Sequence, residues 1–222
     1  MNLARKLTAE FLGTAGLLAV VVGSGIMGEN LAGGNLAIAL LANTIATGAG
    51  LAFLILSFAE ISGAHFNPAV TLTEFFNKKI SLTESVYYLT AQMSGAFAGV
   101  GLANLMFDLP VYFASTKIRA GNSQFLSEFV ATFGLIAVIQ AVAKFRPNLL
   151  FLAVAVYITA AYWFTASTSF ANPAVTIARS LSNTFAGISP ANVPMFVIAQ
   201  ILGAFTATFV FNWLLNDKQE NG

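Results

Sequence analysis

The chain has 222 residues, of which 57% are hydrophobic and 9% are charged, with a formal net charge of +1. Soluble domains carry about 25% charged residues, so this composition excludes a soluble globular protein and predicts a membrane protein. The balanced charge gives no indication of nucleic-acid binding. The sequence contains no cysteine, which excludes disulfides and thiolate chemistry.

Six apolar segments are long enough to cross a bilayer, which takes about 20 helical residues. In chain order they lie near Leu7–Met27, Leu36–Phe58, Leu82–Phe107, Phe125–Ala143, Leu149–Ala166 and Val193–Leu215. The first exceeds the apolar core of a signal peptide and contains Glu10, so we interpret it as a retained helix. The connecting segments are short, and a single membrane domain over residues 1–222 is expected.

The basic residues predict the orientation of these spans. With six spans both termini lie on one side, and Lys and Arg concentrate there. By the positive-inside rule, this distribution predicts cytoplasmic termini. The predicted cytoplasmic residues are Arg5, Lys6, Lys78, Lys79, Lys144, Arg146 and Lys218, and the predicted outer ones are Lys117, Arg119 and Arg179.

The pentapeptide Asn-Pro-Ala-Val-Thr occurs twice, at residues 67–71 and 172–176. Asn followed by Pro is typical of a helix start, with Asn as the N-cap and Pro at the first helical position. The first such helix would end near Asn77 and measure about 16 Å, roughly half the hydrocarbon thickness. Each copy therefore predicts a short helix that cannot span the membrane alone.

The pentapeptides belong to a larger internal repeat. Residues 9–14 match residues 127–132, and residues 91–97 match residues 199–205. Repeat 1 covers about 1–107 and repeat 2 about 123–222. Each repeat has three spans, so the second enters the membrane inverted, and the two short helices approach from opposite faces.

Two half-helices that meet at their N-termini would form one broken span. Irregular backbone at that depth is tolerated where it lines a water-filled path or is buried in protein, so a pore or a binding site is expected. Positive dipole ends and inward-pointing amide NH₂ groups would repel cations and offer donors to a neutral permeant. The residues of the two motifs are Asn67, Pro68, Ala69, Asn172, Pro173 and Ala174.

These motifs resemble those of the aquaporins, the major intrinsic protein family. The Glu-Phe pairs in the first and fourth spans and the Gln/Gly/Ala pattern in the third and sixth also fit, over nearly the whole chain. The resemblance implies an all-α bundle of six transmembrane helices plus two half-helices with an inverted repeat. It further implies a homotetramer with one pore per subunit, surrounded by membrane lipids in the bacterial inner membrane, without a cofactor or a bound metal.

Family members select solutes with four residues at set distances from the two Asn residues. By that resemblance the selectivity filter here would be Thr47, Ala160, Ser169 and Val175. Val175 stands where the family usually has Arg, and two positions that usually carry bulk are Thr and Ala. Such a ring is wide and uncharged, which favours larger neutral solutes.

The resemblance is closest to the branch encoded with bacterial arsenic-resistance genes. It implies a passive channel for water, glycerol- or urea-like solutes, arsenous acid and methylated arsenicals. A water-selective aquaporin is the alternative reading. A secondary transporter with broken helices is a further alternative, although no Asp, Lys or His other than His65 lies near either motif.

Each of four further residues has two alternative roles. Glu10 and Glu128 lie inside spans and could relay protons, but matched carboxylates, one per repeat, favour hydrogen bonding to the loops before the half-helices. His65 could sense pH, or it could be a neutral histidine of the pore wall. Arg179, one helical turn beyond Val175, could restore a positive charge to the pore or anchor loop carbonyls. No nucleophile–base pair or metal-ligand cluster appears, which argues against an enzyme.

Overall fold

A computed structural model describes residues 1–216 of the chain. Its long helices are α1 (Leu3–Leu31), α2 (Leu36–Ser62), α4 (Leu82–Met106), α5 (Asn122–Phe145), α6 (Leu150–Phe164) and α8 (Val193–Leu215). Two short helices are α3 (Pro68–Phe76) and α7 (Pro173–Arg179). Within residues 1–216 no strand occurs, which confirms the predicted all-α class. Lys218, used above for orientation, lies outside the described residues.

Five of the long helices, with their adjoining turns, are long and apolar enough to cross a membrane. The remaining one, α4, has 25 residues but is richer in polar side chains, among them Glu84 and Gln92. Gln92 is fully buried, so this helix places polar groups inside the bundle. The fold thus has the six predicted spans, and the protein is an integral membrane protein.

The two repeats use the same close helix crossing. In the first repeat, a Cβ added to Gly95 of α4 would lie 2.3 Å from the carbonyl oxygen of Phe11 in α1. In the second, a Cβ added to Gly203 of α8 would lie 2.4 Å from the carbonyl oxygen of Phe129 in α5. Glycine is therefore required at both crossings, as is common where membrane helices approach closely.

The short helices begin where the Asn-Pro pairs predict. Asn67 Oδ1 accepts a hydrogen bond from the Ala69 amide at 2.9 Å, and Asn172 Oδ1 accepts one from the Ala174 amide at 3.0 Å. Helix α3 has 9 residues and α7 has 7. Each is too short to span a membrane, and their N-termini face each other inside the bundle to make one broken span.

A long loop between α4 and α5 covers the C-terminal end of α7. The amide of Phe113 donates to the Leu181 carbonyl at 3.0 Å, and that of Ser115 donates to the Ser180 carbonyl at 2.9 Å. Further along, the Ser189 amide donates to the Lys117 carbonyl at 2.7 Å. These bonds fix the basic residues of the loop against the end of the second half-helix.

Candidate functional site

Glu10 holds the loop that leads into α3. Its Oε1 accepts from the His65 amide at 3.0 Å and from Ser62 Oγ at 2.7 Å. Its Oε2 accepts from the Phe66 amide and from Gln92 Nε2, both at 2.8 Å. The carboxylate is fully buried, and four donors compensate its desolvation.

Glu128 does the same for the loop that leads into α7. Its two oxygens accept from the amides of Phe170 and Ala171, both at 2.9 Å, and from Gln200 Nε2 at 2.6 Å. Gln200 also donates to Thr176 Oγ1 at 2.8 Å, as Gln92 donates to Thr71 Oγ1 at 2.9 Å in the first repeat. In each repeat the buried carboxylate thus accepts hydrogen bonds from the loop before the half-helix and from a glutamine of a neighbouring helix.

Both supported loops have unusual backbone conformations. Ala64 and Phe66 have φ of 50° and 48°, and Ser169 and Ala171 have φ of 49° and 48°. Non-glycine residues rarely adopt positive φ, and when they do the surrounding structure must over-determine them. The hydrogen bonds to Glu10 and Glu128 supply that constraint in each loop.

The two half-helices are joined by reciprocal hydrogen bonds. Asn67 Nδ2 donates to the Ala171 carbonyl at 2.8 Å, and Asn172 Nδ2 donates to the Phe66 carbonyl at 2.8 Å. An amide NH₂ has two hydrogens, so each Asn keeps one for another acceptor. The pair therefore closes the gap between the repeats and still offers one donor on each side.

A cavity of about 230 Å³ passes these Asn residues. One end is lined by Glu74 of α3 and by Lys79, which follows α3, and the other by Thr47 and Arg179. Between them, α6 contributes a stripe of residues four positions apart: Leu150, Val154, Ile158 and Tyr162. The opposite wall carries the two Asn residues and the loops at 63–66 and 169–171. The path is thus apolar on one side and polar on the other.

The structure brings most of the predicted site residues to this cavity. The predicted residues that line it are Thr47, His65, Asn67, Ser169, Asn172, Val175 and Arg179. The other motif residues are buried inside the half-helices and do not line it: Pro68, Ala69, Pro173 and Ala174. Glu10 on α1 and Glu128 on α5 do not line the cavity, and they hydrogen-bond the loops that do.

Ala160 is a wrong prediction. It is exposed on the outside of α6 and does not line the cavity. Ile158 and Tyr162, two residues before and after it, line the cavity instead. Two residues of helix correspond to a rotation of about 200°, so Ala160 and Tyr162 lie on opposite faces of α6. The ring near Thr47 therefore includes an aromatic side chain and is narrower than expected.

Polar groups cluster where Tyr162 meets α2. The Tyr162 hydroxyl donates to Thr47 Oγ1 at 3.2 Å. Ser169 Oγ, also in the cavity wall, is buried and has no hydrogen-bond partner in the structure. A buried hydroxyl without a partner costs free energy unless a ligand or water satisfies it. This region is therefore suited to a solute that carries hydroxyl or amide groups.

His65 is held by its neighbours in the cavity wall. Its Nδ1 lies 3.0 Å from Thr71 Oγ1, and its ring centroid lies 5.1 Å from that of Tyr88. No acidic side chain is within ion-pairing distance of it among residues 1–216. The histidine is thus a hydrogen-bonded, aromatic-packed part of the wall.

Arg179 is buried and contacts both a loop carbonyl and the cavity. Its Nε donates to the Ala186 carbonyl, and its guanidinium carbon lies 3.4 Å from the centroid of the Phe170 ring. It also lines the cavity. Arg119, which sequence reasoning did not single out for the site, lies 5.0 Å from the same ring. It comes from a loop and belongs to no motif, so only the structure reveals it.

Comparisons with known proteins agree with this geometry. The family model described as "Major intrinsic protein" matches residues 1–150 and 145–222. The aquaglyceroporin AqpS of Rhizobium meliloti (strain 1021) is 53% identical over 96% of this chain and 91% of its own length. The aquaporin NIP3-1 of Arabidopsis thaliana is 26% identical over 99% of this chain and 70% of its own length.

A solved structure shows the same fold. The X-ray structure of the aquaglyceroporin from Plasmodium falciparum matches with a TM-score of 0.73, at 22% identity, over 96% of this chain and 97% of that one. The family model covers the whole chain, and the AqpS relative is well above 30% identical. The chain therefore belongs to the major intrinsic protein family, whose members are channels for water and small solutes rather than enzymes.

Proposed function

We propose that this protein is a passive channel for small neutral solutes that carry several hydroxyl or amide groups, among them glycerol, urea and arsenous acid. The observation that carries the proposal is the cavity itself, with Asn67 and Asn172 at its middle and an apolar wall opposite. Such a path replaces the hydrogen bonds that a neutral solute loses on leaving water and offers nothing to a desolvated ion.

The selectivity filter in this proposal consists of Thr47, Tyr162, Ser169 and Val175. Ser169 Oγ supplies an unused hydrogen-bonding group, whereas Val175 and the ring of Tyr162 supply apolar surface. A solute with hydroxyl groups on one side and carbon or arsenic on the other can hydrogen-bond Ser169 and also contact the apolar surface. Methylated arsenicals are larger, and Tyr162 would slow them relative to arsenous acid. The name of the Rhizobium relative, an aquaglyceroporin, supports passage of glycerol-sized solutes.

A water-selective channel is a second candidate, and one observation favours it. Tyr162 brings an aromatic ring to the filter where a small side chain was expected. If that ring closes the path to all but water, glycerol and urea would not pass. A secondary transporter is less supported, because both buried carboxylates are occupied by backbone and glutamine donors.

The assembly and placement of the channel follow the same proposal. Residues 1–222 would form one channel domain of two inverted repeats, and four copies would assemble with one pore each. Large apolar side chains are exposed all around the bundle, for example Phe53, Phe209 and Trp213, and lipids or neighbouring subunits would cover them. We place the protein in the bacterial inner membrane with cytoplasmic termini.

Stopped-flow light scattering on proteoliposomes tests this function. Vesicles with and without the protein are mixed with hyperosmotic glycerol, urea, arsenous acid or an impermeant sugar. We expect rapid water efflux with all four osmolytes and faster re-swelling than in empty vesicles with the first three. Fast water efflux without faster re-swelling would establish the water-selective alternative, and no change in either would refute a channel.

A further inference from the structure

Two guanidinium groups lie close together near Thr47 and Val175: that of Arg179 is buried and lines the cavity, whereas that of Arg119 is partly buried and lies outside the lining. Arg179 is 2% exposed and Phe170 is 4% exposed, and the two stack at 3.4 Å. Arg119 approaches the same ring at 5.0 Å from the α4–α5 loop. The two guanidinium carbons are therefore closer together than one Debye length, which is about 10 Å at 0.1 M salt.

Neither arginine forms an ion pair with an acidic side chain of the part of the chain that the structure describes. Among residues 1–216 the ion pairs are Lys6 with Glu84 and Lys79 with Glu74, and both involve the other end of the molecule. Arg119 and Arg179 instead donate to backbone carbonyls. Arginine stays protonated in proteins, so both groups keep a full charge. Carbonyl dipoles hold these charges in place without neutralising them, and burial strengthens their field.

The hydrogen bonds also prevent the charges from moving away from the pore. Arg119 Nε donates to the Gly187 carbonyl at 2.9 Å, and its Nη1 donates to the Ser167 carbonyl at 3.2 Å. Arg179 Nε donates to the Ala186 carbonyl. Because Arg179 follows Val175 by four residues, it lies one turn further along the same face of α7. Val175 carries no charge, and the positive charge of Arg179 thus lies one helical turn away from it.

We propose that Arg119 and Arg179, stacked on Phe170, form a charge barrier that excludes cations from this pore. The proposal rests on the channel function above and adds the residues that set its charge selectivity. A cation that enters the path at Thr47 meets the charge of Arg179 in the cavity wall, and the charge of Arg119 beside the same Phe170 ring adds to the repulsion. A neutral solute meets the guanidinium N–H groups of Arg179 that the protein leaves unused, and these can donate hydrogen bonds to its oxygens.

The test is potassium flux through the Arg119→Met/Arg179→Met variant. Proteoliposomes with an outward potassium gradient report flux by a potential-sensitive dye, and glycerol re-swelling in the same vesicles shows that the pore is present. We expect potassium permeability to rise by roughly tenfold for each charge removed. The matched control is Lys117→Met, which removes a neighbouring charge whose Nζ binds the Phe185 carbonyl outside the cavity lining, and it should not leak.

Two further variants keep the test decisive if loss of the buried Arg179 impairs folding. Arg119→Lys/Arg179→Lys retains both charges and should exclude potassium. Val175→Arg, added to the double Met variant, should restore exclusion from one turn away. A double Met variant that passes glycerol but still excludes potassium would overturn the proposal, as would an equal leak in Lys117→Met. Absence of solute flux in the unmodified protein would instead refute the channel function itself.

Discussion

Tyr162 donates a hydrogen bond from its hydroxyl to Thr47 Oγ1 at 3.2 Å, and both side chains line the cavity. The bond joins α6 to α2 in the wall of the cavity that Ser169 and Val175 also line. Tyr162 is only 3% exposed, so its ring is fixed by packing as well as by this bond. The width of the proposed filter therefore depends on an aromatic side chain that a ring of small residues would lack.

Replacing Tyr162 by Ala should widen the pore. We expect glycerol and urea flux to rise severalfold in stopped-flow re-swelling, with the largest increase for the largest solute. Tyr162→Phe keeps the ring and removes only a hydrogen bond of about 1 kcal/mol, so the order of solutes by size should persist. Tyr157→Phe is the control, because its hydroxyl binds the Ala131 carbonyl at 2.9 Å away from the cavity. Equal solute flux in all three variants would show that Tyr162 does not belong to the filter.

Replacing Glu10 or Glu128 by Gln should loosen the pore loops. The Gln side chain has one acceptor oxygen instead of two. Its NH₂ group would face a backbone N–H that donates to the carboxylate in the unmodified protein, so that hydrogen bond is lost. Leaving a buried donor unsatisfied costs about 1–3 kcal/mol, so the unfolding temperature in detergent and the solute flux should both fall. Glu84→Gln, which breaks the surface pair with Lys6, should change little. If flux instead becomes independent of an imposed pH gradient that drives it in the unmodified protein, the carboxylates are proton carriers.

Val175→Arg should make the channel more selective for water. The added guanidinium would enter the cavity beside Ser169 and opposite Thr47, where its bulk and its donors compete with the permeant. Glycerol and arsenous acid flux should fall by roughly an order of magnitude, the scale of about 1.4 kcal/mol in barrier, whereas water flux should fall less. Val175→Leu, which adds bulk without charge, separates the two causes. Unchanged solute flux in a folded Val175→Arg variant would place position 175 outside the constriction.

Lys117, in the loop between α4 and α5, should make the stability of the protein depend on pH. Burial, together with the charges of Arg119 and Arg179 and opposed by that of Glu29, lowers the pKa of Lys117 from 10.5 to about 8. The folded protein therefore releases this proton at lower pH than the unfolded chain, and stability rises as pH increases from about 8 toward 10. Lys117→Met should flatten that rise in unfolding temperature, whereas Lys78→Met on another loop should not. Parallel pH profiles for Lys117→Met and the unmodified protein would contradict this coupling.

The elements were predictable because their signals are local. Asn-Pro marks the start of α3 and α7, and both begin there. The placement of Glu10 and Glu128 in matching positions also anticipated which loops they would contact. These inferences needed only the spacing of residues along the chain and the periodicity of a helix.

The filter residues were less predictable because the rotation of a helix about its axis decides which of its side chains face the cavity. Counting back from Asn172 crosses the irregular segment between α6 and α7, and a shift of two residues moves a side chain to the opposite face of a helix. Helix α6 is apolar on every side, so its sequence does not show that Tyr162 faces the cavity and Ala160 faces outward. Arg119 is brought to Phe170 by a loop, and no sequence pattern indicates that contact.

The most direct test of the central claim places single cysteines in this thiol-free chain. Ser169→Cys and Val175→Cys would put a thiol on the cavity wall, and Ala160→Cys would put one on the outer face of α6. Mercuric ions bind thiolates, and glycerol re-swelling of proteoliposomes is measured before mercury, after it and after excess thiol. We predict reversible block at positions 169 and 175, and none at 160 or in the unmodified protein. Block at position 160 with free passage at 169 would contradict the pore described here.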